Sequence, residues 1–289
     1  VVFTHGMLDP WFNRAYPLKK LKKMLYWPLE RRVLKNARAV LFTAAEEARR
    51  AAGTFSPYQC KEVIVPYGTN TPPNLGAEQK VAFLQQFPQL AGKRFLLFLG
   101  RIHPMKGCDL LLESFASVAK QHPDLYLVMA GPCADQYENL LRRKFARVHS
   151  ELCDRVIWTG MLVDDVKWGA LRAAEVFILP SHRENFGMAV AESLACGIPV
   201  LISDQINIYR TILEEEAGLV GSDTLTGTKQ LLSDWLALDL EQKQKMRSNA
   251  RSCFEKHFNL RSNLPALLAI FQSCTAGTAD DALEVTSKN

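Results

Sequence analysis

Four charged side chains, Arg101, Lys106, Glu184 and Glu192, stand where their types and spacing could do chemistry. The first two lie in Arg101-Ile-His-Pro-Met-Lys106-Gly107, which comes after the strand-like run RFLLFLG and leads straight into a helical pattern. Two cations and a helix N-terminus at one spot make an anion site. An Arg fork beside a Lys point charge suits a diphosphate, although a strand-end Arg can also pair with a nearby acid. The other two lie in SHRENFGMAVAESLACGIPV, residues 181–200, with Glu184 in the loop and Glu192 inside the next helix. Gly187 permits close backbone approach at that helix's start, where the first-turn N–H groups have no partner within the helix. Glu192 shares a face with Met188 and Cys196 rather than with a polar stripe, shortly before a C-capping Gly197. A carboxylate on an apolar stripe needs a partner, for which ribose hydroxyls and an internal salt bridge are the two candidates.

The elements that must position these residues are legible as short apolar runs alternating with helical patterns. Strands are expected at AVLFT, EVIVPY, RFLLFLG, LYLVMAG, VIWTG, EVFILPS, PVLIS and GLVG. Between them run helices of 3.6-residue period, such as CDLLLESFASVAKQ. Fully apolar strands separated by helices imply a parallel sheet covered on both faces, the doubly wound α/β arrangement. In such sheets ligands bind outside the carboxyl ends of the strands, which is where both charged loops fall. The segment 66–80, with three prolines and two glycines, interrupts the alternation as a hinge. The expected division is residues 1–75 as the rear of a first Rossmann-like domain, a linker at 76–93, and a complete second domain at 94–255. A C-terminal helix and polar tail take up 256–289. Because the chain opens on VVFTHG, already like the end of a strand, a further N-terminal part of the first domain is expected upstream of Val1.

Composition limits the function classes. The 289 residues are 48% hydrophobic and 22% charged, as in globular proteins. Runs such as FLLFLG are too short to span a bilayer. Seven cysteines in odd number, none spaced CxxC, read as reduced and mostly buried thiols rather than a metal or redox centre. Residues 1–50 hold eleven Lys or Arg against four acids, which leaves +7 there and −2 in the remainder. Leu18, Leu21 and Leu25 recur at helical spacing beside Lys19, Lys20, Lys22 and Lys23, so this basic segment could meet anionic lipid or be a solvated surface. No nucleic-acid recognition motif accompanies the charge.

The phrases FTHGMLDPW, GRIHPMKG and LPSHRENFGMAVAESLACGIPV resemble the family-4 retaining glycosyltransferases of GT-B fold, also called glycosyl transferase group 1. The Glu-x7-Glu pattern from Glu184 to Glu192 and the Arg-x4-Lys at 101 and 106 occur in the family's order, and the resemblance covers most of residues 1–260. It implies two Rossmann-like parallel-sheet domains, the first incomplete in this chain. It implies further that Arg101 and Lys106 hold the donor diphosphate and that Glu184 contacts the transferred sugar, with the backbone N–H groups of Asn185, Phe186 and Gly187 close by. Glu192 takes the ribose, the loop near Met161 and Leu162 the base edge, and His5 reaches the donor sugar.

The expected activity is therefore that of a hexosyltransferase moving a sugar from a UDP- or GDP-sugar to a glycan or lipid-linked acceptor, as in polysaccharide biosynthesis. It needs no cofactor and no metal, since no Asp-x-Asp occurs and Arg101, Lys106 and a helix dipole can neutralise the leaving group. Same-face attack, with the leaving phosphate taking the acceptor's proton, fits better than a Glu184 nucleophile set among phosphate-binding amides. The rival readings are a non-catalytic nucleotide-sugar-binding fragment and a GT-B-fold nucleotide-sugar epimerase. The expected location is the cytoplasm, peripheral at the inner membrane face, without nucleic acid as a partner.

Overall fold

The computed structural model describes the backbone of residues 1–11 and 17–286, with all side chains of these except positions 17, 19, 20 and 275–286. In chain order the elements are β1 (Val2–Phe3), α1 (Pro17–Asn36), β2 (Val40–Phe42), α2 (Ala45–Ala52), β3 (Glu62–Ile64) and α3 (Gly76–Gln86). Next come β4 (Arg94–Leu99), α4 (Cys108–Ala119), β5 (Leu125–Ala130), α5 (Tyr137–Val148), β6 (Val156–Gly160) and α6 (Asp164–Ala173). The remainder is β7 (Val176–Leu179), α7 (Met188–Ala195), β8 (Val200–Ser203), α8 (Tyr209–Glu214), β9 (Gly218–Gly221), α9 (Leu225–Ala237), α10 (Leu240–Cys253) and α11 (Leu260–Thr286). The chain divides into two units, 1–68 with 260–289, and 69–259. Where the sequence suggests a linker at 76–93, the structure has α3 and a 3₁₀ turn at Pro88–Leu90, both within the second unit. Where it suggests a polar tail, α11 runs on to Thr286. A cluster of small and acidic residues there hides the helical period from the sequence.

In the first unit β1, β2 and β3 form a parallel sheet in that order. Successive side chains of β2 point to opposite faces. Val40 and Phe42 join Trp27, Leu34, Ala48 and Phe55 on one side, and Ala39 and Leu41 join Val65, Leu267 and Ile270 on the other.

The second unit is a six-stranded parallel sheet of order β6-β5-β4-β7-β8-β9. Phe95, Leu96, Leu97 and Phe98 are consecutive and all buried, as expected for a strand covered on both faces. The chain winds outward from β4 to β6, returns, and winds the other way from β7 to β9. The order therefore reverses between β4 and β7, the switch point outside whose carboxyl ends ligands bind in open α/β sheets. At the opposite end, Glu175 accepts hydrogen bonds from Arg94, Trp235 and Lys243 and ties β4, β7, α9 and α10 together. Burial alone would raise its pKa, but the Arg94 and Lys243 cations hold it below the usual carboxylate range. All seven cysteines are free, two of them buried and five partly exposed, rather than mostly buried. No described helix is long and apolar enough to cross a membrane.

Candidate active site

Both charged loops leave the two strands that flank the reversal, β4 and β7. After β4, His103 begins a 3₁₀ turn at Pro104–Lys106 by accepting from the Met105 N–H at 3.1 Å, and Pro104 sets the first position. Gly107 then takes φ +66°, and a Cβ there would lie 2.2 Å from the Pro180 carbonyl oxygen. Only glycine lets the two loops approach this closely. They are joined by His182 N–H and Ser181 Oγ, both donating to the Met105 carbonyl at 2.8 and 2.9 Å.

This junction brings Lys106 to Glu184. Lys106 is buried, and its Nζ pairs with Glu184 Oε2. Arg101, at the mouth of the same loop, is exposed and among the described residues forms no ion pair, so the acid-paired alternative does not apply to it. Glu184 is braced from the loop after β8: its N–H donates to Gln205 O at 3.2 Å and its carbonyl accepts from Asn207 N–H at 3.3 Å. Asn207 Nδ2 in turn donates to Asn185 Oδ1 at 3.3 Å. Phe186 is buried edge-on against Phe258, with centroids 5.6 Å apart, which anchors the loop. Gly187, at φ +80°, then turns the chain into α7, so the N-terminus of that helix lies at the carboxyl end of the sheet.

Glu192 comes one turn into α7 and is paired with Lys167 of α6, at 2.9 Å between Oε1 and Nζ. The internal salt bridge that the sequence left open therefore exists. The loop 161–163 precedes α6, with Leu162 buried between exposed Met161 and Val163; its contribution to a ligand would be through backbone. The structure thus brings Arg101, Lys106, Glu184, Asn185, Phe186, Gly187 and Glu192 to one end of the second unit, on β4, β7 and α7.

His5 belongs to the first unit, just after β1. It is exposed, lies at φ +45°, and stacks on Phe3 with ring centroids 4.6 Å apart. A histidine with positive φ needs support, and buried Glu47 supplies it. Glu47 Oε1 accepts from Thr4 Oγ1 at 3.0 Å and Gly6 N–H at 2.8 Å, while Oε2 accepts from Thr43 N–H and Oγ1, both at 2.8 Å. The residues on either side of His5 are fastened to one carboxylate.

Sequence reasoning missed Lys167, Glu47, Asn207 and the His182–Asp223 pair at 2.8 Å. Lys167 and Glu47 look like ordinary charges of polar helices, and only the fold turns them inward. Among the described residues no group of three or more His, Cys, Asp or Glu side chains is placed to hold a metal ion.

Among known proteins, the family described as glycosyl transferases group 1 matches residues 81–252. Mannosylfructose-phosphate synthase of Agrobacterium fabrum is 34% identical over 123 residues, 41% of this chain and 27% of that protein. D-inositol 3-phosphate glycosyltransferase of Acidothermus cellulolyticus is 30% identical over 130 residues, 43% of this chain and 29% of that protein. HepE of Anabaena, solved with UDP and glucose, superposes with a TM-score of 0.77 at 16% identity, over 94% of this chain and 71% of that one. This likeness shows that the fold is GT-B. The chain spans about half the length, or less, of the curated relatives it matches.

Proposed function

The chain belongs to the group 1 glycosyl transferases, and on that premise we propose that it is a retaining, metal-independent transferase acting on a nucleoside diphosphate sugar. The observation that carries this reading is the junction of the β4 and β7 loops, which brings Lys106 to Glu184 just ahead of the N-terminus of α7, with Arg101 on the same loop as Lys106. The diphosphate sits among these positive groups, and Lys106 moves from Glu184 to the phosphate oxygens. Glu184, released, accepts hydrogen bonds from the hydroxyls of the transferred sugar. Glu192 takes the ribose, and backbone of the 161–163 loop meets the base, uracil or guanine.

In the transfer step the bond from the sugar's anomeric carbon to the β-phosphate oxygen breaks and the acceptor oxygen bonds to that carbon on the same face. The acceptor's proton goes to the departing phosphate oxygen. As the bond breaks, one further negative charge develops on the β-phosphate beside those the diphosphate already carries, and Arg101, Lys106 and the helix dipole stabilise it without a metal ion. His5 is assigned to the donor sugar on the family resemblance.

The acceptor is a glycan or a lipid-linked precursor, and α1 gives the second of these some support. Leu18, Leu21, Leu25 and Leu29 lie on one stripe of α1 and are 85%, 61%, 75% and 65% exposed. Lys22, Arg32 and Lys35 are exposed around them; the side chains of Lys19 and Lys20 lie outside the described residues. An apolar stripe among cations suits the interface of an anionic membrane. Replacing Lys19, Lys20, Lys22 and Lys23 by Glu is expected to weaken binding to vesicles containing phosphatidylglycerol; unchanged binding would mean a solvated surface.

The activity is tested by incubating the protein with UDP- and GDP-hexoses in EDTA and monitoring the released sugar by proton NMR. The expected result is slow donor hydrolysis in which the first-formed anomer has the donor's configuration. An inverted first product, or release only after Mg²⁺ is added, would count against the reading.

A further inference from the structure

Lys167 takes its significance from the assignment of Glu192 to the ribose, and its role rests on that reading. It lies in the first turn of α6, directly after the 161–163 loop, and its N–H donates to the Val163 carbonyl at 3.1 Å. Its Nζ is fixed from two sides, by Glu192 Oε1 at 2.9 Å and by the indole of Trp168, whose centroid is 4.2 Å away. Lys167 and Glu192 side chains are 22% and 15% exposed, enclosed but still reached by solvent. Among the described residues Glu192 Oε2 accepts no hydrogen bond.

We propose that Lys167 is the positioning residue of the ribose pocket. It occupies one oxygen of Glu192, stops the carboxylate from rotating, and leaves Oε2 to accept from the 2′- and 3′-hydroxyls. An ammonium suits this task. It has three donors, so while bound to Glu192 it retains a proton for a ribose oxygen, and the Trp168 face restrains its flexible stem. Met at 167 would keep most of the stem but offer no donor, leaving Glu192 free to swing. A plain tie between α6 and α7 would stabilise the fold equally with any ligand, whereas a positioning residue changes how hydroxyls are told apart.

The test is calorimetric titration with UDP and GDP and with their 2′-deoxy and 3′-deoxy forms, for wild type, Lys167→Met, Lys167→Arg and Glu192→Ala. Wild type should favour the ribo form by about tenfold, the weight of one hydrogen bond to a charged acceptor. Lys167→Met should lose most of this preference, approaching Glu192→Ala, and Lys167→Arg should keep it. If Lys167→Met retains the full preference, or binds ribo and deoxy forms equally more weakly by the same factor as each other, the proposal is overturned while Glu192 keeps its role. If Glu192→Ala itself retains the preference, the ribose assignment falls, and the role of Lys167 falls with it.

Discussion

Glu184 and Lys106, 78 residues apart in the chain, form a largely buried ion pair at the point where the β4 and β7 loops meet. The cation assigned to the donor diphosphate is therefore already engaged by the carboxylate assigned to the donor sugar. On that assignment a donor would break this pair and give each partner a new one. Such an exchange would leave neither buried charge alone and so would keep its desolvation cost low.

This relationship separates binding from turnover. Glu184→Gln removes the competitor for Lys106, so affinity for the bare nucleoside diphosphate should rise, by about threefold to tenfold, the range of a modest charge interaction. Turnover of the nucleotide sugar should fall by about a hundredfold, as when one preorganised polar contact to the reacting group is lost. Calorimetry and a nucleotide-release assay on one preparation measure both. Weaker diphosphate binding in this variant would argue against the exchange.

Glu47 should matter to activity without touching any ligand. Glu47→Ala removes the buried acceptor shared by Thr4 Oγ1, Gly6 N–H and Thr43, at a cost of about 2–4 kcal/mol. Glu47→Gln keeps the shape but offers one oxygen in place of two. The Gln variant should retain the fold by circular dichroism yet lose about tenfold in transfer rate, as the left-handed turn at His5 relaxes. If Glu47→Gln is folded and fully active, the clamp does not serve His5.

The pH dependence of stability should carry the signature of Glu175. Its folded pKa is depressed by Arg94 and Lys243 against the opposing effect of burial. Its contribution is therefore complete above the ordinary carboxylate pKa and is lost as pH falls through the lower folded value. Glu175→Gln should cost about 3 kcal/mol near neutral pH, and the gap in melting temperature to wild type should close as pH falls below the ordinary carboxylate range. The network stands at the amino end of the sheet, so nucleotide binding at neutral pH should be unaffected. A gap independent of pH would mean that packing, not the ion pair, sets the cost.

The sheet of the second unit was readable because its strands are uniform apolar runs, and β4 to β9 fall within two residues of the runs in the sequence. The charged loops were readable because glycine and proline mark the chain's turns beside them. Two kinds of feature were not. α3 was hidden behind the proline-rich segment before it, and its inward face rests on Phe83 and Gln79, too sparse a pattern to outweigh three nearby prolines. Partner choice was not readable either. Lys167 in DDVKWGALRA and Glu47 in AAEEARR have the neighbours of surface charges, and the sequence distance to Glu192 or to Thr4 carries no trace of the contact. Propensity and period act locally, whereas these pairs are set by where parallel strands bring distant loops together.

The most direct measurement is calorimetric titration of the protein with UDP and GDP in the presence of EDTA, beside Arg101→Ala and Lys106→Ala. Micromolar binding of one nucleotide, weakened by about tenfold to a hundredfold in each variant as a charge-assisted contact is lost, is the predicted result. Binding that appears only when Mg²⁺ replaces EDTA, or that both variants retain undiminished, would contradict a diphosphate site built on these two cations.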